Sequence, residues 1–240
     1  KIFNFHFIPP SSGETSNLDL YTLERNTQDY PHMDGGLKTP QRGIQVTNVI
    51  GPNVDDQNKR APIGFPFSFG GKKYNDCRVD SNGWIQFTGS FSGSTYVNTP
   101  SYKANSSIML FLWWQDLRTA HDGYVRTWME GSAPNRVRIY DWRTYAVYTQ
   151  KQQNNRTLNF QACLYEGSNK IEYRFGPSEK HGSDSANRTA TCGAKLDTRS
   201  TKNGRIRDFF GKNGQITNQF KNLGALPPEE KKEFASKLNK

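Results

Sequence analysis

Few residues of this chain have the types and spacing that chemistry requires. Asp116, His121 and Asp122 lie close together and could converge from one loop as metal ligands or as an acid–base pair. Between two strands, however, such polar residues are ordinarily loop chemistry. Asp80-Ser81-Asn82-Gly83 begins like a calcium loop but lacks the terminal bidentate acid, so the Asn-Gly pair reads as a hairpin turn. The chain contains no Gly-x-Ser-x-Gly, His-Glu-x-x-His or phosphate-binding loop. No catalytic residue and no cofactor is therefore expected. The four histidines are far apart, and the three cysteines, Cys77, Cys163 and Cys192, lack the spacing of a zinc site. Cys77 shares an apolar strand phase with Val79, and Cys192 shares one with Ala190 and Ala194. That phase suits buried thiols; it also allows a Cys77–Cys192 disulfide if the two strands are neighbours.

Trp113, Trp114, Trp128 and Trp142 are four of the five tryptophans of the chain. Alternation places at least half of them in a core. Any of Trp114, Trp128 and Trp142 that faced outward could stack on a sugar ring. Asn105, Asn155 and Asn187 each open an Asn-x-Ser/Thr triplet, the N-glycosylation pattern, which an Asn-rich chain also produces by chance.

The elements that must position these residues are strands. From residue 63 onward, short apolar-alternating runs recur: 63–69, 74–79, 84–88, 107–113, 124–129, 136–142, 157–165, 170–175, 189–196 and 205–210. Gly70-Gly71, Asn82-Gly83, Asp122-Gly123 and Asn203-Gly204 punctuate them. This spacing predicts an all-β, antiparallel sandwich, with a jelly roll as one form of it. Residues 1–60 read as an extension: an alternating strand at 1–8 with Phe3, Phe5 and Phe7 on one face, then a loop-rich stretch and a further strand candidate at 43–50. Residues 61–210 form the sandwich. Residues 211–240 form a basic tail, in which Pro227-Pro228-Glu229-Glu230 opens a short helix carrying Phe234 and Leu238 on one face.

Length and charge narrow the partners. With 240 residues the chain can bury a sizeable core. Its longest apolar run, 108–114, is far short of the roughly 20 residues of a membrane helix, so no membrane insertion is expected. The chain starts at Lys1 without an apolar leader core, which fits a processed protein or a fragment. The formal net charge is +10, densest from Lys195 to the end, and favours acidic partners. Nucleic-acid motifs are absent, so anionic glycans are preferred over nucleic acid.

At this point five motifs, in order, resemble nidogen-type (NIDO-like) extracellular β modules. They are Ile63-Gly64-Phe65-Pro66-Phe67-Ser68-Phe69-Gly70 running on to Val79-Asp80-Ser81-Asn82-Gly83-Trp84; Trp114-Gln115-Asp116-Leu117; Asn135 to Trp142; Leu158 to Gly176; and Ala190-Thr191-Cys192-Gly193. They span roughly residues 60–210. Gln115 stands where the family carries an acid, and the three cysteines stand where it carries small aliphatic residues. The resemblance implies a secreted or cell-surface β-sandwich, closest to versions in bacterial surface proteins, that serves structure or adhesion without catalysis. The Phe3/Phe5/Phe7 strand could pair with its own sandwich or with the next molecule, the latter giving a homo-oligomer or polymer. A lectin-like module for anionic glycans is the alternative, and a polysaccharide-acting enzyme the third.

Overall fold

In the computed structural model, residues 4–9, 11–12, 22–26, 37–88, 96, 107–146, 156–176, 179–180, 190–195 and 206–209 are described. Two antiparallel sheets face each other. Sheet A runs β2 (Thr22–Asn26), β1 (Asn4–Ile8), β12 (Ile171–Phe175), β11 (Arg156–Tyr165), β10 (Val137–Ala146), β9 (Tyr124–Glu130) and β3 (Thr47–Ile50). The short strands β8 (Leu117–Arg118) and β13 (Glu179–Lys180) add to β10 and β11 respectively. Sheet B runs β15 (Ile206–Phe209), β14 (Ala190–Lys195), β7 (Met109–Trp114), β6 (Trp84–Gln86), β5 (Lys72–Asp80) and β4 (Asn58–Phe69). The described residues contain no helix. The helix expected in the basic tail lies outside them.

Period-two alternation sets the layers. On β4, Ala61, Ile63, Phe65, Phe67 and Phe69 point inward; on β11, Leu158, Phe160, Ala162 and Leu164 meet them in one core. Trp142 and Phe160 are direct cross-strand partners and their rings stack at 5.4 Å.

Polar pins cross this core. Arg138 Nε donates to the Ile63 carbonyl (2.8 Å), Tyr140 Oη to Pro62 (2.9 Å), Trp142 Nε1 to Asp80 (2.8 Å) and Tyr173 Oη to Gly193 (2.7 Å). In each case a side chain of sheet A meets a backbone carbonyl of sheet B. Three of the four acceptors sit where the ladder register shifts, at Pro62–Phe67 of the β4–β5 pair and at Thr191–Gly193 of the β14–β7 pair. Bulges release carbonyls from the ladder, and these must find other donors when buried. The irregular 62–66 stretch, with its two prolines and a glycine, thus supplies two of the four acceptors that lock the layers together.

The described strands within residues 1–60 belong to the two sheets. β1 and β2 enter sheet A, β3 closes its other end, and β4 begins at Asn58, so a boundary at 60 cuts a strand. The segment from residue 37 to 46 crosses the outer face of sheet A. There the Gln161 side-chain amide accepts from Lys38 N (2.7 Å) and donates to Lys38 O (2.8 Å), and Lys38 Nζ pairs with Glu130.

Candidate functional site

The strongest convergence of motif residues lies at the turn between β5 and β6. Gly83 has φ of +79°, and a Cβ placed there would stand 2.4 Å from the Trp113 carbonyl oxygen, so only glycine fits. That close approach lets Gly83 O accept from both Leu112 N (3.0 Å) and Trp113 N (3.3 Å). Asn82 is fully buried. Its Oδ1 accepts from Leu117 N (2.7 Å), its Nδ2 donates to Asp56 Oδ1 (2.8 Å), and its carbonyl accepts from Gln115 N (3.3 Å). Ser81 and Gln57 exchange two further bonds. The Ser-Asn-Gly and Trp-Gln-Asp-Leu motifs, far apart in sequence, are one hydrogen-bonded unit. Gln115, the departure from the family pattern, uses its Oε1 to accept from Trp113 Nε1 (3.0 Å).

This unit brings carboxylates together. Thr119 N donates to Val54 O (2.8 Å), and Thr119 Oγ1 both accepts from Val54 N and donates to Gly51 O. His121 N donates to Asn53 Oδ1. The loop before β4 is therefore tied to the segment after β7, and the carboxylate oxygens of Asp55, Asp56 and Asp116 lie within 4.8 Å of one another. Partial burial and the neighbouring Asp56 raise the Asp55 pKa, while Arg118 opposes the shift. The donor set is all oxygen, the chemistry of a hard divalent cation. Asn82 and Arg118 already take up part of its charge.

Asp116 thus joins partners that sequence reasoning did not single out. Asp55-Asp56 follows an unremarkable Gly-Pro-Asn turn, and nothing in local spacing links it to Asp116. Asp122, expected beside Asp116, goes elsewhere: it accepts from Tyr145 Oη and pairs with Arg143 at 3.0 Å. The Tyr145 hydroxyl, followed by Arg143, lowers the Asp122 pKa.

The expected glycan-stacking faces require correction. Trp114, Trp128 and Trp142 are all 0% exposed, so none can offer a ring to a sugar. Trp142 is in the main core. Trp114 packs with Trp84, Met109 and Phe111 on the outward side of sheet B, and Trp128 packs with Ile139 and Cys163 on the outward side of sheet A. Both outer faces carry apolar clusters, so alternation out of the main core did not mean exposure.

The disulfide also requires correction. All three cysteines are buried and none is in a disulfide. Two strands, β7 and β6, separate β14 from β5. Three inter-strand steps put Cys192 and Cys77 about 14 Å apart, twice the roughly 7 Å limit for a bridge. The Cys77 thiol instead donates to Tyr140 Oη (3.2 Å), and burial pushes the thiols of Cys77 and Cys163 up to about 12. Phe7 is buried edge-on against Tyr173 at 5.3 Å, while Phe3 and the Phe5 side chain lie outside the described residues, as do Asn105, Asn155 and Asn187.

A family model described as "NIDO related" matches residues 21–218. The chain belongs to the NIDO-related family. The NIDO-related domain is a type typical of extracellular proteins, and no helix among the described residues is long and apolar enough to cross a membrane. The five motifs of the sequence all fall within the match, and the turn that unites two of them is central to this NIDO-related fold. A second model, "Aminoacyl tRNA synthetase class II, N-terminal domain", matches residues 204–240, overlapping the first at β15. Comparison with curated proteins and with solved structures finds no match.

Proposed function

We propose that this protein is a secreted, non-catalytic structural or adhesive module of a cell surface or matrix, assembled head to tail by donation of its N-terminal strand. One observation carries the reading. β1 lies outside the stretch that the family model matches, yet it occupies an interior position in sheet A, between β12 and β2. It pairs with β12 from Asn4↔Arg174 to Phe7↔Ile171.

A strand appended to a module is exchangeable, because its ladder bonds are backbone bonds that a neighbouring copy's β1 makes equally well. Within one chain the exchange closes on itself. Between chains it is a heterologous contact that extends without closing, which builds a fibre. Residues 27–36 connect the β1–β2 hairpin to the segment anchored at Lys38, and ten residues reach up to about 35 Å. That span is ample for the edge of a neighbour.

Sedimentation and electron microscopy of the full chain, of a chain lacking residues 1–8, and of the full chain with a peptide of residues 1–8 test this. The full chain is expected to form concentration-dependent multimers, the deletion to remain folded and monomeric, and the peptide to cap growth. Multimers that persist after the deletion, or a full chain that is monodisperse at all concentrations, overturn the proposal. Phe7→Asp, which leaves the backbone intact, is expected to behave as the deletion does.

A further inference from the structure

We infer that the outward face of β4–β6 holds a binding site for one anionic sugar unit, a ring carrying a carboxylate or sulfate beside free hydroxyls. A cavity of about 270 Å³ lies there, lined by Arg60, Asp76, Arg78, Gln86, Phe87 and Thr88. This is just under the roughly 300–1,000 Å³ of drug-sized ligand sites, so it suits a single ring and not a buried chain.

Register places the cationic groups. Arg60 on β4 stands directly opposite Arg78 on β5, and Arg78 stands opposite Gln86 on β6. Inward-facing Ala61, Cys77 and Ile85 flank them, so the row of three points away from the core. Like charges directly opposite on neighbouring strands destabilise a sheet. Two neighbours relieve the repulsion in part: Asp76 Oδ2 accepts from Arg60 Nη2 at 2.5 Å, and Asn58 Oδ1 accepts from Arg78 Nε at 2.7 Å. With two guanidiniums and one carboxylate the cavity keeps one net positive charge. Among the described residues Arg78 is held through Nε alone, which leaves its Nη groups for forked recognition of a carboxylate or sulfate.

The second requirement comes from Gln86. Its residue is 2% exposed, and its Nε2 donates to Thr88 O and to Ser107 Oγ, each at 3.0 Å. A carbonyl only accepts, so the amide orientation is fixed and Oε1 is the remaining atom. Gln86 Oε1 is buried without a hydrogen-bond partner among the described residues. A buried acceptor beside an anion clamp calls for a ligand that brings a donor with its charge. A uronate or sulfated hexose has both on one ring. This site is independent of β1 and of assembly.

Calorimetric titration of the full chain at low salt tests the site with four probes: a glucuronate-containing tetrasaccharide, a sulfated tetrasaccharide, a neutral glucose tetrasaccharide and a glutamate tetrapeptide. At least one of the two acidic saccharides is expected to bind, and which one does so names the anionic group. Arg60→Gln and Arg78→Gln are each expected to weaken that binding about tenfold or more, the effect of removing a charge-assisted bond. Lys72→Gln, an exposed charge on β5 outside the cavity, is expected to leave it within twofold. Failure of both acidic saccharides to bind, equal binding of the neutral sugar or of the glutamate peptide, or equal weakening by Lys72→Gln overturns the inference.

Discussion

Replacing Asn82 by Ala removes the side chain that joins the two family motifs, and its cost can be worked from the geometry. At least two bonds are lost: Leu117 N to Oδ1 at 2.7 Å and Nδ2 to Asp56 Oδ1 at 2.8 Å. Leu117 is fully buried, and so is its N–H contact with Asn82, so that donor is left without an acceptor at about 1–3 kcal/mol. The second bond ends on an exposed carboxylate that water can satisfy, so its loss adds only about 1 kcal/mol. The total is about 3 kcal/mol. Urea unfolding followed by tryptophan fluorescence is the assay. With a slope of about 3 kcal/mol per molar for a domain of this size, the midpoint falls by about 1 M. Asn82→Asp retains the acceptor for Leu117 N but sets a carboxylate against Asp56, so it is expected to recover part of the loss at acid pH and little at neutral pH. A midpoint shift for Asn82→Ala below about 0.3 M, with the slope unchanged, would refute the view that this turn organises the end of the sandwich.

Two further expectations follow from ionisation and burial. The pKa of Asp122 is lowered in the folded state, first by the Tyr145 hydroxyl and then by Arg143, so its contribution is fully present above the ordinary aspartate value near 4 and is lost as pH falls through the lowered folded value. Wild type and Tyr145→Phe should therefore differ in urea midpoint at pH 7 and converge on the acid side; a gap independent of pH would show that packing alone is at stake. The three cysteines are buried and outside any disulfide, and Cys77 and Cys163 have thiols raised to about 12, so an aromatic disulfide reagent at pH 8 should leave those two unmodified in the folded protein and label all three in guanidinium. A mass that rises on reduction without reagent would contradict the free-thiol assignment.

Sequence reasoning came close on the strands of sheet B and the centre of sheet A because their evidence is local. The run 124–129 is β9 at Tyr124–Glu130, and 157–165 is β11 at Arg156–Tyr165, since alternating apolar residues and Gly/Asn turns impose both phase and ends. β2 was not legible. Thr22-Leu23-Glu24-Arg25-Asn26 is mostly polar and has no strand pattern of its own; pairing with β1 makes it a strand. Nor was the extent of β4, because Lys59 and Arg60 sit at an exposed strand start where the apolar signal is missing.

The sequence by itself determined the class of fold, the family motifs and the glycine at position 83, because each depends on period, turn chemistry or a single backbone angle. Only the tertiary structure decided what surrounds each side chain. Cys77 and Cys192 share a phase, but strand order keeps them apart. Trp114 and Trp128 point out of the central core and are still covered, since each sheet carries a second apolar cluster on its far side. Asp116 meets Asp55 and Asp56, and Arg60 meets Arg78 and Gln86, through loop ties and register that no local window contains. Period two fixes which face a residue takes; the pairing of distant strands fixes its neighbours, and chemistry depends on neighbours.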